Sequence, residues 1–334
     1  MTYALVLVVL TLALPWGGAA VARHLADVLP PRWACGVLTG AAVLLAGGTV
    51  SALIGLFHVP FLASLEQLSL TRVVEVWPAA VPFAVLSGAL LSVQLVLLVR
   101  RWSRHRSLLR RAWLAAEEGT GGGDVLVVPG SDVDAFALPR YRGRSGRVVV
   151  TSGILRSLRE GERTVLLEHE RAHLAGRHHL LSALADLAAV VHPSLRSLRE
   201  ALDFQLERWA DEDAARAVGN RRVAAAAIAR AALAGTSRPR VTGYPRLSAT
   251  SGPVRKRVEA LLLPEPTAPR GGVRRAGVTA LAGTVVVAAV AALALAYGLH
   301  EYVEYAARQL IAAPGGCSSP CGVRHTLPGA GAAQ

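Results

Sequence analysis

Leu166-Leu167-Glu168-His169-Glu170-Arg171-Ala172-His173-Leu174 (LLEHERAHL, residues 166–174) is the stretch on which the reading of this chain turns. His169 and His173 are four apart, so on a helix they share one face. Two imidazoles placed that way bind one zinc ion from the same side. Glu170, between them, is placed to take a proton from a zinc-activated water. The five-residue pattern also arises by chance on solvated helices. Here Val165, Leu166, His169, Ala172, His173 and Gly176 recur at spacings of three and four, and Ala172 and Leu174 flank the histidines, which predicts a mid-helix motif with a partly buried face. Two buried histidines flanking an acid need a reason, and a metal supplies one.

A catalytic zinc takes a third protein ligand and keeps an open position. Two residues compete for that place. Glu207 lies in Glu207-Arg208-Trp209-Ala210-Asp211 on a later predicted helix, with Asp211 one turn further along the same face. Asp211 is then placed to orient a ligating histidine through its other ring nitrogen. His179 instead completes the spacing HExxHxxGxxH, which requires a helix break at Gly176 and a methionine turn beneath the metal. Met1 is the sole methionine, and the apolar periodicity runs on through Leu180, Leu181 and Leu184, predicting an unbroken helix. Glu207 is the expected third ligand. His178, His179 and Arg257 remain candidate oxyanion or substrate contacts.

Outward from the motif, DVLVV (124–128) and RVVVT (147–151) are short β-branched runs bounded by Gly, Pro and Ser and read as two strands. Helical patterns follow near 179–191, 198–218 and 222–234. The expected unit is α+β, a small sheet with several helices. An extended substrate is expected to add to the strand near Val148–Thr151 as an edge.

The rest of the chain is far more apolar. With 52% hydrophobic residues and a mean hydropathy of +0.40, it exceeds an ordinary soluble domain. Four runs, 3–21, 34–57, 78–99 and 278–299, are each long enough to cross a bilayer as a helix. No Lys or Arg precedes the first, so it reads as an anchor rather than a signal peptide. Arg100, Arg101, Arg104, Arg106, Arg110 and Arg111 follow the third run, and Arg270, Arg274 and Arg275 precede the fourth. Both clusters are expected to stay cytoplasmic. The expected layout is three transmembrane helices in 1–100, a basic stalk and Gly-rich joint at 101–123, and a cytoplasmic metal-binding domain at 124–263. A linker at 264–277, a fourth span at 278–299 and an extracytoplasmic tail at 300–334 complete it, with the N-terminus also outside. Cys317 and Cys321 would then lie where a disulfide is permitted. The net charge of +13 sits largely beside apolar runs, which points to membrane lipid headgroups. With aromatics at 5% and no basic stretch interleaved with them, no nucleic acid is expected as a partner.

LEHERAHLAGRHHL (167–180) followed by ERWAD (207–211) resembles the membrane gluzincin peptidases, among them HtpX-like and CAAX prenyl proteases and the BlaR/MecR-type antirepressor peptidases. Ala135-Phe136-Ala137-Leu138 is similar to their Asn-Ala-Phe-Ala segment, with Asp134 in place of Asn. VVTSGIL (149–155) is similar to the strand-turn before their active-site helix, and Arg257-Val258 with Leu261 to their late Arg-containing helix. The resemblance spans about residues 105–262. It implies one zinc per chain held by His169, His173 and Glu207, with Glu170 as general base and Asp211 in support. Three spans before the motif domain and one after it resemble the BlaR/MecR branch most, which implies a protein or peptide substrate such as a cytoplasmic repressor. The 35 residues after Leu299 contain no SxxK, so a penicillin-binding sensor is not expected. The competing expectations are a membrane quality-control protease and a non-catalytic zinc-binding signalling scaffold.

Overall fold

The structure, a computed structural model, describes residues 2–65, 71, 74, 78–117, 119–130, 133–236, 254–265, 279 and 283. It is mainly helical with one small sheet. Helix α1 (Thr2–Val28) turns into α2 (Pro31–Leu65). Pro31 opens α2, where its missing N–H costs nothing, and the amides of Trp33 and Ala34 close on Pro30 O at 2.9 and 3.0 Å. Helix α3 (Ala80–Ala116) follows. Among the described residues, Pro31–His58 and Ala80–Ala116 are long and apolar enough to cross a membrane. The expected first span falls within α1. The expected fourth span at 278–299 lies outside the described residues but for 279 and 283, as does the tail with Cys317 and Cys321.

The sheet contains β1 (Val125–Val128), β2 (Ala135–Leu138) and β3 (Arg147–Thr151) in the order β1-β3-β2. Strand β3 runs parallel to β1, pairing Leu126 with Val149, and antiparallel to β2, pairing Phe136 with Val149. Its centre, Val148, Val149 and Val150, is 0–1% exposed, which is why it reads as an unbroken β-branched run. Two corrections follow. A third strand exists, which the two alanines of Ala-Phe-Ala-Leu conceal because Ala is a poor strand former; Phe136 and Leu138 carry its buried face. And β3, bonded on both sides, has no free edge to offer a substrate. The edge is β2.

After β3 come α4 (Ser152–Ser157), α5 (Glu160–Ala175), α6 (His178–Val191), a 3₁₀ turn (Pro193–Leu195), α7 (Arg196–Val218), α8 (Arg221–Thr236) and α9 (Val254–Leu262). Thr151 Oγ1 caps α4 by accepting the Ile154 amide. Glu162, in the first turn of α5, accepts the Arg159 amide at 2.9 Å and the Arg230 guanidinium at 2.8 Å, fixing the entry of that helix. Helices α5 and α6 do not form the unbroken rod that periodicity predicts. Gly176 caps α5 with its N–H on Ala172 O at 2.9 Å, and Arg177 turns the chain in the left-handed region, φ 49° and ψ 40°.

The membrane-type helices and the later helices share one core. Ala19, Ala22, Leu25, Leu38, Ala42 and Leu45 of α1 and α2 pack with Ala185, Ala188, Leu198, Leu202 and Leu206 of α6 and α7. The many alanines let these backbones approach closely, and Gln205 Nε2 donates to Ala26 O at 3.2 Å. Helix α3, 37 residues or roughly 55 Å, carries the basic cluster in its second half as ordered helix. Ala112, Trp113 and Ala116 at its end join the sheet core with Leu126, Phe136 and Leu138, and Trp113 Nε1 donates to Pro139 O at 3.0 Å. Midway, Asp186 of α6 accepts Arg101 Nη2 at 2.5 Å and lies 2.8 Å from His105 Nε2, both on α3. The glycine joint is not a free hinge. Thr120 exchanges both backbone hydrogen bonds with Val127, at 2.8 and 3.0 Å, and Gly123 supplies the positive φ of 70° that this tight return needs.

Candidate metal centre

Helix α5 brings His169 and His173 onto one face, and the next-but-one helix, α7, crosses it with Glu207. All three are 8–9% exposed, and one ligand atom from each lies within 4.8 Å of the others. The two Nε2 atoms are 3.2 Å apart; Glu207 Oε2 is 3.7 Å from His169 Nε2 and Oε1 is 3.6 Å from His173 Nε2. Tetrahedral zinc with ligands at about 2.0–2.1 Å sets its ligand atoms roughly 3.3–3.4 Å from one another. These separations bracket that edge, so two imidazoles and a carboxylate fit zinc in both donor type and spacing.

Each imidazole is held from behind. His169 Nδ1 lies 3.0 Å from Asp211 Oδ1, and His173 Nδ1 lies 2.8 Å from His178 Nδ1. A histidine that ligates through Nε2 carries its proton on Nδ1 and donates it, so His178 accepts from His173 while Asp211 accepts from His169. Both acceptors are buried, at 3% and 1% exposure. Trp209 packs against His178 with ring centroids 4.5 Å apart and donates Nε1 to Asp213 Oδ2 at 2.9 Å. The Arg32 guanidinium, from the start of α2, sits 5.7 Å from the Trp209 ring.

Arg257 enters from α9. Its Nε and Nη2 bind the two oxygens of Asp211 at 2.7 and 2.6 Å, and Nη1 reaches Glu207 Oε2 at 2.8 Å. The forked guanidinium matches this bidentate demand. Arg221 holds α9 in place through Glu212 and the carbonyls of Ala260 and Leu261.

The electrostatics follow from these contacts. Burial drives the carboxyls of Glu207 and Asp211 upward, but His169 and Arg257 outweigh it and hold both well below the usual carboxylate range. Burial lowers His169, but the carboxylates of Asp211 and Glu207 raise it on balance to about 10. His173, buried and beside charged His169, falls to about 4. Glu170 is pushed up to about 7 by burial, against the pull of His169 and of a hydrogen bond from the Ala137 amide.

That amide belongs to β2. Asp134 and Thr151 form a hydrogen-bonded pair across β2 and β3. Antiparallel alternation then turns Phe136 and Leu138 toward β3 and leaves the backbone groups of Ala135 and Ala137 facing outward, toward α5. A cleft opens beside this edge, lined by Ala137, Pro139, His173, His178, His179, Ser182, Asp203 and Glu207 among others.

Of the residues singled out in the sequence, the structure gathers His169, Glu170, His173, Glu207, Asp211, His178 and Arg257 into one cluster. His179 stands on the cleft wall, half-buried, and is not one of the three grouped donors. The break at Gly176 that the His179 alternative requires is present, yet it turns His178 inward against His173. Arg257 spends its guanidinium on Asp211 and Glu207, whereas His178 uses Nδ1 on His173 and lines the cleft as well. Ala137 and Trp209 lie inside motifs the sequence offered, but their contacts with Glu170 and His178 were not readable there, and Arg32 carries no local signature of its place beside Trp209.

Residues 103–202 match the model of Peptidase family M48, which supports a metallopeptidase of that family. The matched segment contains both histidines and Glu170 and ends before Glu207, Asp211 and Arg257. Comparisons with curated proteins and with solved structures found no match.

Proposed function

We propose that this chain is a membrane-embedded zinc endopeptidase that hydrolyses peptide bonds of cytoplasmic proteins. The observation that carries the reading is the buried triangle of His169, His173 and Glu207 with Glu170 beside it. Zinc held there supplies Lewis acidity to the scissile carbonyl and the attacking water. Glu170, 8% exposed with its carboxyl beside the edge of β2, takes the water proton and returns it to the leaving amine. Asp211 and His178 fix the tautomers of the two histidines, and Arg257 balances the charge of Asp211 and Glu207. Substrate lies extended along β2, pairing with the outward groups of Ala135 and Ala137 in place of the contacts their amides make with Asp134 and Glu170.

The membrane reading rests on α2 and α3 and on their surface. Val85, Leu86, Val93, Leu95, Val96 and Val99 of α3 are exposed, an apolar face that lipid would cover. The Arg32–Trp209 contact supports the orientation in which the turn between α1 and α2 lies on the same, cytoplasmic, side as the metal centre. In this reading residues 124–263 form the peptidase unit, although its helices α6 and α7 are seated on the spans. The resemblance of 167–180 and 207–211 makes a transcriptional repressor the first substrate to try. Cleavage of many unrelated unfolded membrane proteins would favour the quality-control role instead.

The test is zinc content and proteolysis of the detergent-purified protein. Wild type is expected to hold one zinc per chain, Glu207→Ala to lose it, and Glu170→Gln to keep it while hydrolysis falls by about 10²–10⁴-fold or more. Full hydrolysis by a zinc-loaded Glu170→Gln variant would overturn the assignment.

A further inference from the structure

A second cleft continues from the metal cleft, sharing Pro139, Leu174 and His179 with it. Its floor is apolar, formed by Pro139, Leu174, Ala175 and Leu180, and no acidic side chain lines it. Its walls carry Arg140, just beyond the end of β2, and Arg177, from the turn between α5 and α6. Both arginines are exposed. Arg144, Arg171 and Arg255 find carboxylates, Glu117 at 2.7 Å, Asp124 at 2.6 Å and Glu259 at 2.7 Å. Arg140 and Arg177 have no ion-pair partner among the described residues.

Arg177 is also conformationally unusual. With Arg142 it is one of two non-glycine residues at positive φ among the described residues. Any side chain's Cβ crowds the neighbouring carbonyl in this region, and such outliers cluster at binding sites. Gly176 stands directly before it at φ −77°, so the left-handed position falls on the arginine rather than on the adjacent glycine. The turn thereby presents a guanidinium at the mouth of the cleft.

Resting on the peptidase reading, we infer that this cleft is a substrate subsite for an acidic side chain, the carboxylate of Asp or Glu, received between Arg140 and Arg177. A chain paired along β2 passes Ala137 and then Pro139 and Arg140. At about 3.4 Å per residue, the position that reaches the cleft lies roughly two to four residues from the bond at Glu170. Its apolar floor accepts the methylene stem while the guanidiniums bind the head.

The experiment uses the full-length, zinc-loaded protein in detergent, denatured casein as probe, and mass spectrometry to map the cleavage sites. Asp and Glu are expected to be enriched several-fold at one fixed position near the cleaved bond. The double charge reversal Arg140→Glu, Arg177→Glu is expected to replace that enrichment by Lys and Arg. On a fluorogenic peptide built from the preferred sequence, kcat/KM is expected to fall about 10–100-fold, with little change for its Ala-substituted counterpart. Cleavage without acidic enrichment, or enrichment that survives the reversal, overturns the subsite and leaves the peptidase standing. No cleavage by zinc-loaded protein overturns both.

Discussion

Replacing Asp211 by Asn separates the charge of this residue from its shape. Asp211 is 1% exposed; Oδ1 lies 3.0 Å from His169 Nδ1 and 2.6 Å from Arg257 Nη2, and Oδ2 lies 2.7 Å from Arg257 Nε. Asparagine retains one acceptor for this set and loses the negative charge. His169 then donates to a neutral oxygen, its ring becomes a weaker ligand, and its orientation loosens. Loss of such a partner costs metal sites about 10–100-fold in affinity, or roughly 1.4–2.8 kcal/mol. Arg257 keeps Glu207 at 2.8 Å, so the stability cost should fall below the roughly 3–5 kcal/mol of a fully broken buried pair. The assay is competition for zinc against a chromogenic chelator, with the cobalt-substituted spectrum as a check that the centre stays tetrahedral. His178→Gln, acting behind His173, should weaken zinc by a similar factor. Zinc affinity unchanged within about threefold in folded Asp211→Asn protein would refute the idea that Asp211 positions His169.

Two further outcomes are expected. Burial lifts the Asp186 carboxyl, but hydrogen bonds from His105 and Arg101 and the charge of Arg199 hold it well below its ordinary 3.8. A depressed folded pKa contributes stability that is complete above the unfolded value and is lost as pH falls through the folded one. The contact between α3 and α6 should therefore persist at neutral pH and weaken below about pH 4; thermal unfolding of Asp186→Asn across pH should show a lower plateau, by about 1–3 kcal/mol, and a flatter acid limb. An unaltered acid limb would mean the carboxylate contributes nothing there. Ala135→Pro removes an outward N–H of β2, the one held on Asp134 Oδ1 at 3.1 Å until substrate takes it, without touching the ladder to β3, so KM for peptides should rise several-fold with zinc content unchanged; an unaltered KM would rule out substrate pairing at that edge. Val149→Pro cannot serve this purpose, because Val149 sits in the central strand and the sheet itself would fail.

Much of the centre was readable because its candidate ligand pair is local. His169 and His173 are one helical turn apart, and helical geometry alone aligns them; the same holds for Glu207 and Asp211. The apolar runs that become α2 and α3 were equally plain, since length and composition suffice for a membrane-type helix. The break between α5 and α6 was not readable, because apolar periodicity continues across it. There the chain turns only because Gly176 and the left-handed Arg177 allow His178 to pack on His173. Likewise, β2 was hidden by its alanines, and the basic half of α3 read as a stalk until Trp113 and Asp186 showed where it docks.

By itself, then, the sequence determined the helix with its two imidazoles and acid, the candidate carboxylates, and the apolar helices, all set by periodicities of a few residues. Only the tertiary structure groups Glu207, and not His179, with the two imidazoles, sets Arg257 and His178 behind that group, and makes β2 the sheet edge that faces α5. Those choices depend on which helix crosses which, a balance of burial and pairing among residues tens of positions apart, and no local spacing encodes it.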